Sequence, residues 1–125
     1  MRTVEEPMAL ATAITAHTAP HTLVAVDCLT LWLTNSMMPM HAGPAATANT
    51  GISENAVDVL VATLANASGP VVLVGNEIGL GVIPMGREVR AFVDALGRLN
   101  QAVAAACDRV TLMVAGLPLT LKEPG

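Results

Sequence analysis

Two short apolar runs, Leu23-Val24-Ala25-Val26 and Val71-Val72-Leu73-Val74, constrain this chain more than any other feature. Neither run alternates polar with apolar residues, and both are bounded by turn formers: Pro20 ahead of the first, Gly69-Pro70 ahead of the second and Gly75 behind it. Runs of this kind suit strands of a parallel sheet, which helices cover on both faces. The stretches around them carry apolar residues at helical spacing. Strand and helix in alternation predict an α/β fold with a mostly parallel sheet. At 125 residues the chain is one domain's worth, residues 1–125, without internal repeats, charge blocks or long linkers.

The remaining elements follow from local signals. Glu5-Glu6-Pro7 is expected to open a helix, with acid in its first turn and proline near its start. That helix carries Met8, Leu10, Ala11 and Ile14 to about residue 16, and Pro20 ends it. Residues 29–38 predict a helix with Leu29, Trp32, Leu33 and Ser36 on one face. Residues 39–51 read as a loop. Ser53-Glu54-Asn55 is expected to cap a helix reaching about residue 66, with Val57, Leu60, Val61 and Leu64 as its stripe. A loop over 75–86 holds Gly79, Gly81, Pro84 and Gly86. A long helix over 87–107 follows, with Val89, Phe92, Val93, Leu96, Leu99 and Val103 inward. Residues 110–114 predict a third strand, broken by Gly116-Leu117-Pro118 and followed by a short tail.

Composition excludes several classes of function. Hydrophobic residues make up 53% and charged residues 13%, which rules out intrinsic disorder. Six Lys and Arg stand against ten Asp and Glu, a net charge of −4 with no basic cluster, so nucleic acid is not an expected partner. One Trp, one Phe and no Tyr leave no stacking platform for bases. No apolar stretch reaches 18 residues, so no membrane span is expected. The acidic start lacks the apolar region of a signal peptide, and the cytoplasm is the expected location. Cys28 and Cys107 lie far apart and form no CxxC, which suits free thiols.

Chemistry concentrates at the ends of the strands. Asp27 closes the first apolar run in the manner of a Walker B strand, whose carboxylate holds Mg²⁺ directly or through water. Asp27 is equally placed to cap the helix beginning near Leu29. Ligands of parallel sheets bind at the carboxyl ends of strands, so the location suits a site. Asn76-Glu77 sits just past the second run, where a second carboxylate would neighbour Asp27; the plainer alternative is a loop-structuring Asn beside an exposed Glu. Arg87 and Arg90 share a helix face and either reach phosphates or pair with Glu88 and Asp94. His17, His21 and His41 have no partner at metal-ligand spacing. Lys122, the sole lysine, reads as a solvated tail residue. The 125 residues contain no GxxxxGK[ST] stretch.

Several segments, in order, resemble one family. Asp27-Cys28-Leu29-Thr30-Leu31-Trp32-Leu33-Thr34-Asn35 resembles the DCLTLWLTN segment of the adenosylcobinamide kinase/adenosylcobinamide-phosphate guanylyltransferases. Residues 74–84 resemble that family's VSNEVGLGIVP. Arg90-Ala91-Phe92-Val93-Asp94 and Gly97-Arg98-Leu99-Asn100-Gln101 resemble its RxFRD…GRxNQ helix, and Ala115-Gly116-Leu117-Pro118-Leu119 with Lys122 its AGLPLxxK ending. Arg2-Thr3-Val4-Glu5-Glu6-Pro7 resembles the stretch just after its nucleophile. Gly75 stands in place of a Ser, Met85-Gly86 in place of Glu-Asn, and Val93 in place of an Arg.

The resemblance implies a P-loop, RecA-like fold and an enzyme with two activities. Such an enzyme phosphorylates adenosylcobinamide with ATP or GTP, then transfers GMP from GTP through a guanylyl-histidine. Glu5 and Asp27 match residues that contact the nucleotide, Mg²⁺ is the implied cofactor, and a homo-oligomer, a trimer, is the implied assembly. The family's P-loop and nucleophilic histidine precede the stretch matching Arg2 to Pro7, and none of His17, His21 and His41 matches that histidine. The expectation is therefore the C-terminal two thirds of such an enzyme, inactive alone, with strand edges that gain by pairing or oligomerising. The alternative is a non-catalytic corrinoid- or nucleotide-binding or assembly subunit that complements a P-loop chain.

Overall fold

The computed structural model describes residues 1–37, 54–79 and 86–125. The order of elements is α1 (Leu10–His17), β1 (Val24–Asp27), α2 (Leu29–Met37), α3 (Glu54–Ala65), β2 (Val71–Val74), α4 (Arg87–Ala106), β3 (Val110–Val114) and β4 (Leu117–Lys122). The expected loop over 39–51, the Ser53 cap, His41 and most of the second half of the glycine loop lie outside the described residues.

The two apolar runs form the parallel pair that their composition predicts. β1 pairs with β2 in the register Val24↔Val71, Val26↔Leu73 and Asp27↔Val74. Side chains alternate along a strand, so one face carries Val24, Val26, Val71 and Leu73. These four belong to the core or pack against it. The other face carries Ala25, Asp27, Val72 and Val74, and Val72 and Val74 are each nearly half exposed. The expectation that both faces of these strands are covered is therefore corrected: among the described residues, helices cover one face.

The core joins all four helices to β1. Leu10 and Ile14 enter from α1, Leu29, Trp32 and Leu33 from α2, Leu60 from α3, and Ala95, Leu96, Leu99 and Val103 from α4. α3 packs on α4 and α1, and α2 packs on α4. The expected stripes hold at their main positions, Leu29 at the start of α2 included; Met8, ahead of α1, and Val89 are half exposed, and Ala95 is buried in α4. α1 also starts later than the acid-proline signal predicts. Glu6 lies outside the helix, its Oε1 accepting the N–H of Ala9, the residue before α1, at 2.8 Å.

The third strand is corrected in pairing. β3 does not extend the parallel pair but turns back onto β4 as an antiparallel hairpin. The segment read as a short tail is a strand. Val114 faces Leu117 across a two-residue turn, Ala115-Gly116, with φ of 53° and 75°. Two positive φ values give the turn the twist that antiparallel strands require. Pro118 is tolerated because β4 is an edge strand.

Candidate functional site

Asp27 ends β1, and its alternation with Val26 sets it on the open face of the parallel pair. It is exposed, and its side chain has no hydrogen bond or ion pair among the described residues. The cap of α2 is supplied by its neighbour: the Cys28 Sγ accepts the Leu31 N–H at 3.3 Å. Of the two readings open for Asp27, the capping role falls to Cys28, which leaves the carboxylate unengaged. The Asp27–Cys28 peptide is cis.

The tip of β2 stands beside Asp27, since Val74 is its partner in register. That tip is held by backbone bonds from two helices. Thr30 Oγ1 of α2 accepts the Asn76 N–H at 2.9 Å, and Asn100 Nδ2 of α4 donates to the Asn76 carbonyl at 3.2 Å. Glu77 is exposed, and its Oε1 accepts the Gly79 N–H at 2.6 Å. One carboxylate oxygen therefore shapes the loop.

Glu5 lies in an exposed N-terminal segment without helix or strand. The segment is bound to α2 two residues further on. Asn35 Nδ2 donates to the Pro7 carbonyl at 3.3 Å, and the Trp32 indole N–H donates to the Met8 carbonyl at 2.9 Å. Near its start, Arg2 donates to His17 Nδ1 at 3.3 Å. The helix α2 thus contacts all three regions of interest: it follows Asp27, its Thr30 holds the Asn76-Glu77 tip, and its Trp32 and Asn35 hold the segment after Glu5. The sequence signal for these roles was a run of Thr, Trp and Asn in an otherwise apolar helix.

Other predicted residues fall elsewhere. Arg87, Arg90 and Arg98 are exposed and form no ion pair among the described residues, so neither expected pairing with Glu88 or Asp94 is present. Lys122 is corrected from a solvated tail residue: its Nζ donates to the carbonyls of Ala104 at 3.0 Å and Ala105 at 3.2 Å, closing the end of α4. Cys28 and Cys107 are free thiols, as expected, and both are half-buried. Burial raises the Cys107 thiol above its ordinary value of 9.0; Lys122 opposes that shift and Asp108 adds to it. An open groove lies between α1 and α3, lined by Thr15, Thr18, Val59 and Thr63 among others, and Asp27 does not line it.

The donor set at the strand ends suits one kind of cation. No group of three or more His, Cys, Asp and Glu gathers among the described residues, so no all-protein metal cage is present there. Mg²⁺ rarely uses such a cage and is commonly bound through one or two carboxylates plus waters and phosphate oxygens. A single unengaged carboxylate at the carboxyl end of a parallel strand fits that mode. No helix among the described residues is long and apolar enough to cross a membrane.

The chain is a mixed α/β protein whose first parallel strand ends in an exposed carboxylate, and open α/β sheets commonly bind ligands at such strand ends. Comparison with known proteins narrows the class. The family model described as cobinamide kinase/cobinamide phosphate guanyltransferase matches residues 1–121. The bifunctional adenosylcobalamin biosynthesis protein CobP of Pseudomonas aeruginosa is 42% identical over 127 residues, spanning 98% of this chain and 67% of its own length. The proteins named CobU of Salmonella typhimurium and Escherichia coli are 36% and 33% identical, each spanning 97% of this chain and 70% of their own length. The chain belongs to the cobinamide kinase/cobinamide phosphate guanyltransferase family, a family of enzymes of cobalamin biosynthesis.

Proposed function

We propose that this chain supplies the nucleotide carboxylates of an adenosylcobinamide kinase/adenosylcobinamide-phosphate guanylyltransferase acting in the cytoplasm. Asp27 holds Mg²⁺ on ATP or GTP, directly or through water, and Glu5 contacts the guanine nucleotide. Mg²⁺ would neutralise charge on the phosphates there. Asn76 and Glu77 form the adjoining wall, fixed by Thr30 and Asn100. None of these 125 residues is assigned to the phosphate cradle or as the guanylylated histidine, and the working assembly is a homo-oligomer. The 125 residues alone are accordingly inactive in both reactions.

The observation that carries this reading is the Asp27 carboxylate, left free at the carboxyl end of β1 because Cys28 caps the following helix. Calorimetry with Mg·GTP tests it. The parent chain should bind, and Asp27→Asn should bind about tenfold more weakly, with little change for GTP in EDTA. Equal affinity of the two proteins for Mg·GTP, or no binding by the parent, overturns the assignment. Label from α-labelled GTP appearing covalently on the parent chain overturns the inactivity.

A further inference from the structure

We infer that Trp32 and Asn35 are positioning residues, through which α2 fixes the Glu5 segment relative to Asp27. This rests on the reading above, in which both carboxylates serve one nucleotide. Asp27 precedes α2 by a single residue, and its backbone is fixed by the pairing of β1 with β2. Residues 1–9 have no helix or strand of their own to set their place. Two donors three residues apart on α2, hence on one face, reach consecutive carbonyls of that segment. Trp32 is 8% exposed, so its ring is locked in the core and its indole N–H has one direction in which to point. Asn35 is only half-buried, and water would satisfy its amide; burial alone does not require its bond to Pro7. Pro7 has a fixed φ and Glu6 accepts the Ala9 N–H, so the two bonds are passed rigidly back towards Glu5. The helix that starts at one carboxylate thereby holds the chain that carries the other.

The test uses Asn35→Leu, which keeps the size and removes the donor, and Trp32→Phe, which keeps an aromatic ring and removes the N–H. Asn35→Gln, which retains an amide donor, serves as the conservative variant. Amide exchange over residues 2–9 is expected to quicken in Asn35→Leu and Trp32→Phe, while exchange in α4 is unchanged in Asn35→Leu. Mg·GTP affinity should fall about tenfold, the scale of one hydrogen bond, and Asn35→Gln should recover most of it. In Glu5→Gln the further change Asn35→Leu should cost nothing more, because both act through one contact. Unchanged exchange over 2–9 overturns this inference and leaves the nucleotide reading intact, as does an Asn35→Leu loss that adds in full to the Glu5→Gln loss. Parent-like Mg·GTP binding by Glu5→Gln overturns the reading of Glu5 and this inference with it.

Discussion

Gly69 shows how far a single position can depend on its surroundings. A Cβ built there would lie 1.8 Å from the Ala19 carbonyl oxygen and 3.1 Å from that of Thr22. Its N–H donates to Thr18 Oγ1 at 3.2 Å. The turn leaving α1 and the turn entering β2 therefore meet backbone to backbone. Gly69→Ala should destabilise the fold by about 2 kcal/mol or more, because backbone must move to admit the methyl group; a urea midpoint equal to the parent's would show that the contact is not tight. The sequence marks Gly69-Pro70 as a turn but gives no hint of what the turn touches. Asp27 has the same lesson in reverse. Its position at a strand end was legible, while its freedom was not, because that depended on the Cys28 sulfur taking the helix cap.

At the scale of elements, the hairpin β3–β4 is the feature the sequence concealed. Hairpins are usually announced by Asn-Gly or Asp-Gly between alternating strands, and here the turn is Ala115-Gly116, with Pro118 two residues on. Ala115 adopts φ of 53°, a region that Asn tolerates better than Ala. Ala115→Asn is expected to stabilise the chain by about 0.5 kcal/mol, read as a higher melting temperature; a lower one would contradict the turn geometry. The strand β4 is exposed along its whole length, so no pattern of burial advertised it. The helices were legible to within a few residues, since their apolar stripes have the 3.6-residue period whatever they pack against. Their ends were not, because contacts there, such as Glu6 with the Ala9 N–H and Lys122 with the Ala104 carbonyl, come from outside the helix.

The whole molecule has a pH dependence rooted where α4, β3 and β4 meet. The folded state holds Cys107 protonated more firmly than the unfolded chain does, because burial disfavours the thiolate. This contribution is complete below the unfolded thiol's value near 9.0 and is lost as pH rises through the higher folded value. The stability difference between the parent and Cys107→Ala, from urea unfolding, should therefore shift against the parent as pH rises above 9.0; a constant difference would show that the thiol titrates alike in both states. The sequence by itself determined that β1 and β2 are strands, that α2 to α4 are helices and that Asp27 ends a strand, because period, capping and turn chemistry act over a few residues. Only tertiary structure decided that β3 pairs backward, that one sheet face is uncovered among the described residues, and that Thr30, Trp32 and Asn35 gather three distant segments around α2. Those outcomes depend on which groups meet across dozens of residues, and local propensity has no term for such meetings.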